Sequence, residues 1–142
     1  MKKVFLDTNI IFTYIYTYPK ESLSSYIFYL EEKKKIKIFI SEIVKRELWK
    51  NIKIKIGNKI NIFHDIITRV IILKDVTFQQ NFDNNLLKSL PENDRIILAT
   101  AIFHKIDYFI TGIVKDFKKL YLKQIINTTI LNQRDFIRLF LK

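Results

Sequence analysis

The chain has 142 residues and a mass of 17.1 kDa, enough for one buried core and too little for two independent ones. Hydrophobic residues at 49% and charged residues at 27% describe a globular chain, and only 2 Gly and 2 Pro argue against a turn-rich β-sandwich, a collagen-like repeat or a flexible linker. Cys is absent, which excludes disulfides, thiolate zinc sites and cysteine nucleophiles, while 25 Lys+Arg against 14 Asp+Glu leave a net charge of +11 that suits a polyanionic partner.

In chain order, residues 3–6 form a short apolar run expected to be a buried strand. Asp7 interrupts the run and no small-residue cleavage site follows, so the N-terminus does not read as a signal peptide. Residues 22–35 carry Leu23, Tyr26, Ile27 and Leu30 at i, i+3, i+4 and i+7, the spacing of a helix. The Lys33–Lys35 run is then a solvated helix end, where cations also suit the dipole. Residues 36–40 (IKIFI) predict a second strand, with Ser41 placed to cap a helix that runs to about Gly57-Asn58.

A helix over 59–69 and a third strand over 70–73 follow, then a weaker helix over 78–89. Pro91 punctuates the chain before a helix over 94–105, with Ser89-x-x-Glu92 resembling a capping box. A strand over 108–111, a short helix over 116–121, a last strand over 124–126 and an amphipathic helix over 133–141 complete the reading. Strands separated by helices imply βα crossovers. The expected architecture is therefore α/β, a three-layer α/β/α sandwich around a mostly parallel sheet of about five strands, in a single domain over 1–142. No stretch approaches the ~20 uncharged apolar residues that span a bilayer, and the protein is expected to be soluble and cytoplasmic.

Three acids stand out from this pattern. Asp7 follows the first strand directly, where open parallel sheets bind their ligands, although it is equally placed to cap the next helix. Glu47 shares the stripe of Ile43 and Val44, and a carboxylate there needs a cation, a hydrogen bond or a metal to offset desolvation. Asp94 stands in a first helical turn in line with Ile97, Leu98 and Ala101. Acids from three βα units thus point to one cleft at the strand ends. Like charges gathered there repel unless a ligand holds them, and an oxygen-only donor set suits Mg²⁺ or Mn²⁺ better than zinc. His64 and His104 are assigned no role.

At these residues the chain resembles the PIN-domain family of metal-dependent nucleases. Val4-Phe5-Leu6-Asp7-Thr8-Asn9 is similar to its first motif and Ser41-x-x-Val44-x-x-Glu47 to its second. Asp94-x-x-Ile97-x-Ala99-Thr100-Ala101 is similar to the third, and Thr111-Gly112-Ile113-Val114-Lys115-Asp116-Phe117 to the fourth. Four motifs in order through nearly the whole chain are more specific than any one of them.

The resemblance implies that Asp7, Glu47 and Asp94 are catalytic metal carboxylates, with Asp116 as fourth acid or as a cap for residues 117–121. It implies supporting roles for Thr8, Asn9, Ser41 and Thr111. One departure is Ile113, which stands where many members carry Asp or Asn. The implied activity is hydrolysis of RNA phosphodiester bonds with one or two Mg²⁺ or Mn²⁺ ions. Lys45, Arg46, Arg95 and Lys115, the cations nearest the acids in sequence, are expected to hold the RNA backbone.

Small members of the family are often dimeric toxins (VapC-type endoribonucleases) inhibited by a small antitoxin protein, and that is the leading biological reading. A housekeeping RNA-processing nuclease and a non-catalytic nucleic-acid-binding module are the alternatives. An acid-rich α/β fold of the receiver or phosphatase kind is disfavoured, because Asp7-Thr8-Asn9 supplies neither paired acids nor an Asp-x-Asp nucleophile.

Overall fold

A computed structural model describes residues 1–76, 90–112, 124–125 and 127–141. The strands are β1 (Lys2–Leu6), β2 (Ile36–Ser41), β3 (Ile71–Leu73), β4 (Tyr108–Ile110), β5 (Gln124–Ile125) and β6 (Thr128–Leu131). The described helices are α1 (Thr8–Thr17), α2 (Leu23–Glu32), α3 (Glu42–Lys55), α4 (Ile60–Arg69), α5 (Glu92–Phe103) and α6 (Gln133–Arg138), with a 3₁₀ turn at Gly57–Lys59. The helices expected over 78–89 and 116–121 lie outside the described residues, as do Ile113, Lys115 and Asp116.

The strands form one sheet in the order β3-β2-β1-β4-β6-β5. The first five pair in parallel, and β5 adds antiparallel to the β6 edge. This is the three-layer α/β/α architecture expected from the sequence. Val4, Phe5 and Leu6 of the central strand are each 0% exposed, as a parallel strand covered by helices on both faces requires. Register pairs Phe5 with Phe39 on one side and with Phe109 on the other, and the Phe5 and Phe109 rings stack at 5.4 Å.

The C-terminal end of the sheet departs from the expected strand over 124–126. That segment contributes only the two-residue antiparallel β5, and the parallel strand is β6. Its polar opening, Thr128-Thr129, follows Asn127 and reads as loop. Burial reverses that reading, because the Thr128 hydroxyl donates to Ile106 O at 2.7 Å and Thr129 N donates to Asp107 O at 3.0 Å. These two polar groups are therefore satisfied within the sheet.

Helix ends follow local chemistry. Ser22 and Ser25 form a reciprocal capping box at α2, and Ser41 caps α3 as expected. Two helices stop at lysines in the left-handed region, Lys34 (φ 59°) after α2 and Lys105 (φ 57°) after α5. In both, the next amide reaches back five residues, Lys35 N to Leu30 O and Ile106 N to Ala101 O, closing the helix as a Schellman turn. The helix expected over 94–105 begins earlier, at Glu92. Pro91 occupies its N-cap with no side-chain cap bond, and the Ser89 of the expected capping box lies outside the described residues.

A half-buried polar cluster ties α2 to the end of α4. Arg69 donates from Nε (3.0 Å) and Nη2 (2.6 Å) to Glu31 Oε1 and from Nη2 to Phe28 O (3.2 Å), and its guanidinium lies 5.3 Å from the Phe28 ring centre. Burial works against the Arg69 charge, but the hydrogen bond and charge of Glu31 outweigh it and hold the guanidinium above its ordinary pKa. Burial raises the Tyr14 phenol, with neighbouring Arg69 opposing the shift. Among the described residues, no helix is long and apolar enough to cross a membrane.

Candidate functional site

The strand order runs outward from β1 in both directions, through β2 on one side and β4 on the other. Such a reversal leaves a crevice at the carboxyl ends of the two adjoining strands, which is where open α/β sheets take ligands. Asp7 and Thr111 stand at those ends, one residue beyond β1 and β4.

Asp7 is 4% exposed and does two jobs. Its Oδ1 accepts from Thr8 N at 2.8 Å, which caps α1, so the capping reading of this residue is correct as far as it goes. Its Oδ2 accepts from the hydroxyl of Thr111, fully buried, at 3.0 Å. The Asp7 amide meanwhile donates to Ile110 O at 3.0 Å, extending the β1–β4 ladder to the site. The carboxylate is therefore fixed from its backbone and at both oxygens.

Thr8 carries the connection across to α3. Its hydroxyl donates to Glu47 Oε1 at 2.7 Å, the short distance of a charge-assisted bond. Glu47 Oε2 accepts from Asn93 Nδ2 at 3.5 Å, at the outer limit of a hydrogen bond, which brings the first turn of α5 to the same place. A continuous polar chain thus runs from Thr111 through Asp7, Thr8 and Glu47 to Asn93. It links β4, β1, α1, α3 and α5, elements drawn from well-separated parts of the sequence.

Glu47 is half-buried on α3, flanked by the buried Val44 and Leu48. Asp94 is half-buried in the first turn of α5, next to Asn93. Asp7, Glu47 and Asp94 do not gather into a closed cage: among the described residues, no three of His, Cys, Asp and Glu come together closely enough to hold an ion by themselves. The bridging hydroxyl of Thr8 stands between the first two.

The other expected residues fall differently. Thr8 and Thr111 touch the acids directly. Ser41 is fully buried, and its Oγ accepts from Val44 N at 3.4 Å as the cap of α3. Asn9 is exposed on the first turn of α1. Lys45 and Arg46 adjoin Glu47 in sequence, but Lys45 stands about 200° from it around the helix and shares a separate face with Glu42, Arg46 and Trp49. These four line a cleft closed by α4 and β3 rather than the crevice of the acids.

Two contributors were not expected from the sequence. Asn93 gives its amide to Glu47 because Pro91, rather than Asn93, takes the N-cap of α5; a helix-start Asn otherwise reads as a cap. Asp75, just past β3, accepts from Ile43 N at 3.2 Å and pairs with Arg46 at 3.7 Å, so it supports the first turn of α3 from 32 residues away. A bond of that separation leaves no local signal.

No protein-family model matches the chain, and no curated protein matches it. Solved structures do. VapBC2 from Rickettsia felis bound to a DNA fragment from its promoter matches at 24% identity and a TM-score of 0.67, over 92% of this chain and 98% of that one. VapBC-1 from nontypeable Haemophilus influenzae matches at 20% identity and a TM-score of 0.62, over 93% and 98%. A toxin–antitoxin complex from Klebsiella pneumoniae matches at 19% identity and a TM-score of 0.60, over 89% and 95%. At these identities the likeness is one of fold, and it extends over nearly the whole of each chain.

Proposed function

We propose that this chain, which has the PIN-type fold of VapC-like proteins, is a metal-dependent endoribonuclease and the toxin of a cytoplasmic toxin–antitoxin pair. The observation that carries the proposal is the polar chain Thr111–Asp7–Thr8–Glu47–Asn93 at the strand-order reversal. It holds two carboxylates in place in a crevice where this class of fold takes its ligands.

The donor set is oxygen throughout, without thiolate or imidazole among the hydrogen-bonded groups, and so fits a hard divalent cation. Mg²⁺ commonly uses one or two protein carboxylates and completes its shell with water and phosphate oxygens, which suits an open site better than a closed cage. Asp7 and Glu47 would hold such an ion, with Asp94 and Asp116 as the further acids. When bound, the ion supplies a water of lowered pKa and neutralises charge building on the phosphate.

The residues of the chain supply orientation. Thr111 and the Thr8 amide fix Asp7, the Thr8 hydroxyl and the Asn93 amide fix Glu47, and no protein nucleophile is called for. Charge supports RNA as the substrate, since +11 overall draws a polyanion to a site whose own acids would otherwise repel it. The solved complexes of like fold support a small antitoxin as partner, and a homodimer is part of the same proposal. Ile113 favours a second reading, a nucleic-acid-binding module without chemistry.

The deciding experiment is cleavage of a mixed-sequence labelled RNA by the purified protein in Mn²⁺, Mg²⁺ or chelator, beside folded Asp7→Asn and Asp94→Asn variants. Cutting that needs metal and disappears in both variants is the expected result. RNA bound but uncut under every condition would establish the binding module instead. For the biology, expression without an antitoxin should arrest growth in the wild type and not in Asp7→Asn.

A further inference from the structure

The cleft lined by Glu42, Lys45, Arg46 and Trp49 stands apart from the acids. It occupies about 790 Å³ between α3, α4 and β3, within the usual ~300–1,000 Å³ of a ligand site. Its floor is apolar and aromatic, formed by Trp49, Phe63, Ile67 and Ile72. Trp49 is the chain's single tryptophan and is half-buried, tilted against Phe63 at 5.2 Å and His64 at 5.8 Å. Lys45, Arg46 and Lys74 line the rim with Glu42, and Lys53 adds its ammonium 5.1 Å from the centre of the Trp49 ring. Asp75 takes part of the Arg46 charge at 3.7 Å, which leaves the three lysines as the dominant field.

We propose that this cleft binds single-stranded RNA flanking the cleaved bond, with a base stacked at Trp49 and the adjoining phosphates held by Lys45, Lys53 and Lys74. An aromatic platform edged by cations is the arrangement that takes unpaired nucleotides without reading their sequence. A second copy of the chain is a poor occupant, because a two-fold contact here would set the same cations against each other. The inference rests on the nuclease reading for the identity of the polyanion. It adds a binding surface on the face of α3 away from Glu47, so the strand would pass around the N-terminal end of that helix to reach the acids.

The test uses the lone tryptophan as reporter. A short oligouridine is titrated into the purified protein in chelator, where no cutting occurs, while tryptophan emission and the anisotropy of an end-labelled oligouridine are followed together. Saturable quenching that coincides with the anisotropy change is expected. Lys45→Glu/Lys74→Glu, two exposed positions, should weaken binding about 10-fold and flatten its salt dependence, with unchanged circular dichroism. Trp49→Ala should weaken it about 10-fold and Trp49→Phe much less, because a ring remains for stacking.

Binding with unaltered tryptophan emission and full affinity in the double variant would overturn the proposal, as would absence of binding. Equal competition by polyglutamate would overturn it too, by showing a surface for acidic protein rather than bases. The two readings fail separately. Metal-dependent cutting without quenching removes this cleft and leaves the nuclease, and quenching without cutting does the reverse.

Discussion

Thr8→Val tests whether the link between the two carboxylates matters. The substitution keeps shape and volume closely and removes one hydroxyl, whose 2.7 Å bond to Glu47 Oε1 is made at a residue 6% exposed. The backbone amide that caps α1 through Asp7 Oδ1 is untouched. Hydrogen bonds to charged groups contribute ~1.5–3 kcal/mol, and Glu47 is only partly buried, so the loss should sit near the lower end, about 1.5 kcal/mol. For a chain of this size that corresponds to a fall in Tm of about 3–6 °C.

Activity should fall further than stability. Residues that orient the ligands of a metal typically cost ~10–100-fold when removed. The assay is RNA cleavage against Mn²⁺ concentration, where Thr8→Val should need more metal for half-maximal rate and Thr8→Ser should restore it. Thr128→Val supplies the control: it removes an equally short, fully buried hydroxyl bond, to Ile106 O at 2.7 Å, at the other end of the sheet. It should lower Tm without changing metal dependence. A Thr8→Val protein with wild-type metal dependence, or a Thr128→Val protein with the same defect, would refute the positioning argument.

The remaining predictions concern the scaffold. Burial raises the Tyr14 phenol above its ordinary value of 10.0, so between the unfolded and folded pKa values the native state keeps a proton that the unfolded chain has released. Its contribution is complete below pH 10 and is lost as pH rises through the folded value; denaturant titrations should show a steeper alkaline loss in wild type than in Tyr14→Phe, and parallel curves would refute the assignment. Lys105 holds φ at 57°, a conformation that costs a residue with a Cβ about 1 kcal/mol and glycine much less. Lys105→Gly should therefore raise Tm by up to ~2–4 °C, the gain being reduced by the greater freedom of glycine in the unfolded chain, and a clear fall in Tm would contradict the strain.

The parts of this fold that were legible are those whose signal is local. Val4-Phe5-Leu6 reads as a parallel strand because both of its faces are covered, and Ser41 reads as a cap because a cap bond reaches only to the third residue. Where a longer-range bond decides the structure, the pattern misleads. Thr128-Thr129 looks like loop until Ile106 and Asp107 receive its polar groups. The helix expected from Asp94 starts two residues earlier, at Glu92, where the chain enters through Pro91 without a side-chain cap.

The same distinction explains the site. Asp7 and Glu47 were visible as acids in unusual places, one at a strand end and one beside an apolar stripe, and each location follows from periodicity within its own segment. Their joining through Thr8 spans 39 residues and depends on how α1 and α3 pack, which no periodicity encodes. The nearby cations show the opposite error: Lys45 is close to Glu47 in sequence, and helical geometry carries it to the far side of α3. Adjacency in the chain is therefore a poor guide to which lysines face the acids, whereas the i, i+3, i+4, i+7 set of Glu42, Lys45, Arg46 and Trp49 identifies a second face with its own cleft. A polyanion drawn to this molecule meets two separate surfaces on one helix, one carrying acids and one carrying lysines around an aromatic floor. Charge alone favours the second for binding, and the first becomes favourable to a phosphate only when a cation offsets Asp7 and Glu47. Under the proposed function, that order makes metal-free RNA affinity and metal-dependent cutting separable in the experiments above.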